Sequence, residues 1–197
     1  MTTGSSCALI FILLPKRLGG IPFGVNLARM IKTCGTASSF FAVAASGLST
    51  LPSRRDVGET LILFAVFALL AFYIGTGFEL FKFSVTEDWT ALALVAGIAF
   101  LVPALAEELV FRVLLGGREN SVRALCALGA FLVWHPVQTW LGLPLAQPIF
   151  TDPAFLLIVG LLGGICTISW QRSGSIWPAV VMHWILVVAW KGFTAPV

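Results

Sequence analysis

The stretch WTALALVAGIAFLVPALAEELVFRVLLG, residues 89–116, decides how this chain is read. A membrane-spanning helix needs about 20 mostly apolar residues, and this segment exceeds that. Yet Glu107, Glu108 and Arg112 sit inside it. Ionisable groups within a bilayer are costly, and they usually face a cavity or one another. Three of them in one apolar helix need a chemical reason.

The rest of the composition agrees with a membrane setting. Of 197 residues, 58% are apolar and 11% are charged, with a mean hydropathy of +0.98. Soluble domains carry about 25% charged residues. The expected fold class is therefore all-α, a polytopic transmembrane helix bundle. The net charge of +3 is too small to point to nucleic acid, and the basic residues read instead as topology signals. Cys7, Cys34, Cys126 and Cys166 show no C-x-x-C spacing, so they read as small apolar residues rather than a disulfide or metal framework.

Four further segments join the first to give about five expected spans: 60–81, 122–143, 153–170 and the shorter 175–190. The intervening 144–152, PLAQPIFTD, is Pro-rich and is expected to be non-helical. Residues 1–56 stand apart from 57–197. No acidic residue precedes Asp56, and basic residues are scattered among Ser, Thr, Ala and Gly. Such a composition resembles an organellar transit peptide. It equally fits a misplaced start or an extra segment at the membrane surface. The expected membrane is a bacterial inner membrane or an organellar one, thylakoid or plastid envelope.

The Lys and Arg positions set the orientation. Arg54, Arg55, Arg118, Arg123 and Arg172 fall on one side, and only Lys82 and Lys191 on the other. The Arg-rich side is expected to be cytoplasmic or its organellar equivalent. At 1.5 Å per residue, Glu107 lies roughly 13 Å from the basic end of its helix, His183 roughly 12 Å and His135 about 18–20 Å. The only two histidines of the chain thus come to a depth near that of Glu107. A cavity open toward the basic loops is expected there.

The spacing inside EELVFR divides the labour. Glu108 and Arg112 are i,i+4 and can pair on one face, which lowers the cost of burying both. Glu107 has no basic residue at i+3 or i+4, so it is free to meet another helix. A glutamate with histidine neighbours and a water is suited to general-base work. The plain alternative is that these groups only tie helices together. Pro103 and Pro136 each free a backbone carbonyl, those of Ala99 and Leu132. In membranes such breaks are tolerated where the freed groups find other partners or line a cavity.

Three motifs together resemble a known family. EELVFR matches E-E-x-x-x-R with Glu107, Glu108 and Arg112. FLVWH matches F-x-x-x-H with Phe131 and His135, and GSIWPAVVMHWIL looks like the third motif with His183. Their order resembles the CPBP family of CAAX prenyl endopeptidases and bacteriocin-processing or bacteriocin-immunity (Abi-type) proteins, over about residues 57–197. The resemblance implies an intramembrane endopeptidase of the glutamate type that needs no cofactor. Its partners would be the lipid bilayer and a peptide or protein substrate at the membrane. By that analogy Glu107, helped by His135, activates water, and His183 helps stabilise the oxyanion. Glu108 and Arg112 would hold the first motif in shape, and Phe131 would pack beneath His135.

One position departs from the pattern. The family often has Asn or Asp four residues after the third-motif His, where this chain has Val187. Gln138 or Thr167 could supply the missing donor. The departure favours a rival reading, a non-catalytic membrane scaffold or immunity-type protein. A second rival is a zinc-dependent membrane protease, since two Glu and two His could ligand zinc. No H-E-x-x-H is present, and Arg112 beside Glu108 argues against a dication there.

Overall fold

The computed structural model describes residues 37–195 as six helices and a short two-stranded ribbon. We number the helices α1 (Ala37–Ser49), α2 (Arg54–Gly77), α3 (Trp89–Gly116), α4 (Ser121–Trp140), α5 (Pro153–Ser173) and α6 (Trp177–Phe193). Strand β1 (Lys82–Phe83) pairs antiparallel with β2 (Thr194–Ala195). Residues 1–36, where most of the basic N-terminal segment falls, lie outside the described residues. All-α membrane architecture is what the composition led us to expect.

Local chemistry sets the helix starts. Ser53 and Asp56 form a reciprocal capping box at α2, satisfying two otherwise orphaned amides. Side chains of Asp88, Asn120 and Asp152 accept from backbone amides of the first turns of α3, α4 and α5. At the end of α3, Arg123 donates to the carbonyls of Leu115 and Leu114 at 2.7 and 2.6 Å, a side-chain substitute for the missing next turn. Gly117 and Gly174 have φ of +67° and +68°, which lets the chain turn sharply out of α3 and α5.

Helix α3 is not a regular α-helix throughout. From Phe100 to Glu107 and from Leu109 to Gly116 it is widened into π-helical turns. The Gly117 amide accordingly donates to the Arg112 carbonyl at 2.8 Å, five residues back. Pro103 has no N–H to give the Ala99 carbonyl, so the α-helical ladder is interrupted where the widening begins. Such widened turns are frequent at functional sites, and these carry Glu107 and Arg112, with Glu108 between the two stretches. By contrast, α4 runs through Pro136 without a break.

Three described helices, α2, α3 and α5, are long and apolar enough to cross a membrane, and α6 is a shorter apolar helix. Helix α4 covers the expected 122–143 span only as far as Trp140 and stands outside that set. It carries Arg123, His135, Gln138 and Thr139. The outward faces of α2 and α3 expose Leu61, Ile62, Leu69, Leu94, Leu101 and Val102. So large an apolar surface suits lipid and not water. The 144–152 loop is irregular except for one 3₁₀ turn over Pro148–Thr151.

Packing joins these helices into one bundle. Helix α2 lies against α5, α5 against α4 and α6, and α6 against α3. One buried cluster is built of Phe67, Leu80, Ile158, Leu162, Cys166, Ala179 and Met182. A second joins Ala104, Val113, Trp170, Ile176 and Val180, with Ala44 and Leu48 of α1 packed against it. Trp177 also donates to the Leu48 carbonyl at 2.8 Å, tying α1 to the start of α6. Gly163 allows α5 to approach α4 closely, since a Cβ there would meet Leu128 at 2.6 Å and Phe131 at 3.0 Å. Small residues at such crossings are a common device of membrane helices.

The two ends differ as the basic residues led us to expect. Arg172 pairs with Glu59 at 3.2 Å, and Arg118 donates to the Gln171 carbonyl at 3.2 Å. The loops before α2, after α3 and after α5 therefore share one Arg-rich end. Exposed Trp89 and Trp140 lie at the opposite ends of their helices, the level at which aromatic side chains meet lipid headgroups.

Candidate active site

The two adjacent glutamates have different surroundings. Glu108 is fully buried, and its carboxylate is engaged on both oxygens. Arg112 donates from Nε to Oε2 at 2.8 Å and more loosely from an η nitrogen to Oε1 at 3.4 Å. His183, from α6, reaches Oε1 with Nδ1 at 3.0 Å. The carboxylate accepts, so Nδ1 carries the proton. Arg112 is 1% exposed and lies 4.5 Å above the Phe131 ring, and its Nη1 is buried with no hydrogen-bond partner. A buried pair of this kind is held in place largely because breaking it would strand a charge.

Glu107 turns toward α4 instead. Its Oε1 accepts from Trp134 Nε1 at 2.9 Å and from Gln138 Nε2 at 3.1 Å. Its Oε2 is buried and has no partner. Sequence spacing left Glu107 free to meet another helix, and the partners it meets are these two. His183, which depth along the membrane brings to the level of both glutamates, gives its hydrogen bond to Glu108. The rotation of α6 about its own axis makes that choice, and residue spacing does not encode it.

His135 is buried on α4, between Trp134 and Gln138 in sequence. Its Nδ1 lies 3.0 Å from the Phe131 carbonyl. A carbonyl can only accept, so Nδ1 carries the proton and Nε2 of the neutral ring is left as an acceptor. Phe131 is the shared floor of the site. Its ring meets His135 edge-on at 4.9 Å and His183 at 6.0 Å, with Arg112 on its face. On the other side, His135 is flanked by Phe150 and Phe155 at 5.4 and 6.3 Å. These come from the 3₁₀ turn and the start of α5. Thus Phe131 links residues from all three motif helices.

Of the donors weighed in place of the family Asn, Thr167 is engaged, since its hydroxyl donates to the Gly163 carbonyl at 2.7 Å. Gln138 is bound to Glu107. Val187 is half-buried on α6. Among the described residues no group of three His, Cys, Asp or Glu side chains is arranged to hold a metal ion. A cleft at the Arg-rich end, beside Asp56, Glu59, Ser169 and Arg172, is lined by none of the site residues. Trp134 escaped the sequence reading because it sits in an apolar run. Its signal was the indole N–H, which needs an acceptor when partly buried.

A family model described as type II CAAX prenyl endopeptidase Rce1-like matches residues 88–189, just over half of the chain. The chain belongs to the Rce1-like family. The match runs from the start of α3 into the last turns of α6, so it contains all three motifs and leaves out α1 and α2. It bears out the CPBP resemblance read from those motifs. No curated protein and no solved structure matches. At family level this Rce1-like chain is a CAAX-type intramembrane protease, and its long apolar helices make it an integral membrane protein. A peptide substrate at the membrane follows from that class.

Proposed function

We propose that this chain is a glutamate-type intramembrane endopeptidase in which Glu107 is the general base. One observation supports this above the others. Glu108 is saturated by Arg112 and His183, whereas Glu107 keeps one buried, unpartnered oxygen. That oxygen can accept a proton from a water molecule as the water attacks the peptide carbonyl. His135, with Nε2 left as an acceptor, orients the water. His183 stabilises the oxyanion from Nε2, which requires a proton on each ring nitrogen, because Nδ1 donates to Glu108. Cleavage that persists in the presence of a strong chelator and disappears in Glu107→Gln would support this over a zinc-dependent protease. Loss of cleavage on chelation, restored by zinc, would overturn it.

Val187 favours a second reading, a scaffold of the same family that binds without cutting. One turn separates Val187 from His183, so the two share a helix face. If the site is catalytic and short of a donor, Val187→Asn supplies one. A single oxyanion donor is worth about 10²–10³ in rate, which bounds the gain, less the cost of burying an amide without a partner in the resting state. The expected result is faster turnover of an identified substrate by reconstituted Val187→Asn. A scaffold would show no turnover in either form and a modest loss of stability in the variant. A fast parent and a slower variant would mean that another group already supplies the donor.

A further inference from the structure

We propose that Trp134 and Gln138 are positioning residues that fix the Glu107 carboxylate and reserve its Oε2 for water. The inference rests on the reading of Glu107 as the base and deepens it. Trp134 and Gln138 are i,i+4 on α4, hence one turn apart on one face. Their hydrogen bonds at 2.9 and 3.1 Å converge on the same oxygen, Oε1. Gln138 is buried and Trp134 half-buried, so water competes little for either bond. Neither defines the family motifs quoted above: Trp134 is an unspecified position within F-x-x-x-H, and Gln138 lies beyond it.

The donor chemistry is suited to the task. An indole N–H and a primary amide donate hydrogen bonds but do not surrender a proton under working conditions. They stabilise a carboxylate without neutralising it, as a lysine or protonated histidine could. Two bonds on one oxygen also fix the plane of the carboxylate and leave the second oxygen in one place. That oxygen is Oε2, buried and unpartnered. Because His135 follows Trp134 directly, the turn of α4 that holds Glu107 also carries the residue proposed to orient the water. A change in the α3–α4 contact would shift base and water together.

The test uses full-length protein in liposomes. The probe is a synthetic peptide spanning a cleavage site identified from protein termini in membranes with and without the chain. Trp134→Phe keeps the ring body and loses the donor; Gln138→Met keeps the length and loses the amide. Each is expected to accumulate like the parent, to lower kcat about 10-fold or more, as the loss of a hydrogen bond to a charged group implies, and to leave KM unchanged. A merely structural role would instead reduce the amount of folded protein and leave kcat per folded molecule at the parent value. Should Gln138→Met fail to accumulate, Trp134→Phe alone decides, because it keeps an aromatic ring at the site and removes the donor. Parent-like kcat in the accumulating variants, or a change confined to KM, overturns the inference. Glu107→Gln is run alongside. If it stays active, the base assignment fails; if it is inactive while both donor variants are fully active, only the positioning role fails.

Discussion

Glu108→Gln is expected to sharply reduce the amount of folded, inserted protein. The substitution removes the negative charge that faces Arg112 at 2.8 Å and accepts a hydrogen bond from His183 Nδ1 at 3.0 Å. Arg112 is 1% exposed and would be left with a buried charge and no counter-charge, its Nη1 being unpartnered already. Breaking such a pair by removing one partner costs about 3–5 kcal/mol, a large part of the stability of an ordinary domain. The amide keeps only one acceptor oxygen, so it cannot hold both Arg112 and His183 as the carboxylate does, and the support beneath the site loosens. Removing both charges is milder than removing one. The double variant Glu108→Leu with Arg112→Leu should therefore accumulate better than Glu108→Gln, while remaining poor in activity. Measuring inserted protein and thermal unfolding in detergent for the three forms checks this. Equal accumulation of Glu108→Gln and the parent would mean that the pair contributes little.

Glu107→Gln is expected to behave in the opposite way. The amide is isosteric, and its oxygen can still accept from Trp134 and Gln138, so accumulation should stay close to that of the parent. The variant lacks the base. General-base assistance typically contributes about 10²–10⁴ in rate, and a loss of that size is expected in kcat. The contrast between adjacent residues is the informative part: one isosteric change lowers turnover at normal protein levels, and its neighbour lowers protein level. Equal loss of activity at normal protein levels in both variants would contradict the division read from their hydrogen bonds.

Much of this arrangement can be read from sequence because it depends on local rules. Apolar length placed four of the five expected helices to within three residues at each end. The segment expected over 60–81 begins earlier, at Arg54, because the capping box of Ser53 and Asp56 fixes its start. The i,i+4 spacing of Glu108 and Arg112 already contained their ion pair. Pro103 signalled a break in the helical ladder, but it did not specify five-residue hydrogen bonds from Phe100 to Gly116, which depend on how α3 packs against α4 and α6. The two-residue strands of the ribbon are too short to show an alternating pattern. The partner of His183 and the donors to Glu107 were hidden for a related reason. Each depends on which face a helix turns to its neighbour, and depth along the membrane is silent about rotation.

The most direct measurement compares protein termini in membranes of cells making the parent chain with those making Glu107→Gln, at matched protein levels. The account predicts one or more new carboxyl termini that appear only with the parent. The corresponding peptide, offered to purified parent protein in water enriched in heavy oxygen, should gain that oxygen at the new carboxyl group, as hydrolysis by activated water requires. The account would be contradicted if the parent and Glu107→Gln gave the same set of termini while the protein's biological activity was preserved in both. Glu107 would then be a helix-binding residue, and the chain a scaffold built on a protease fold.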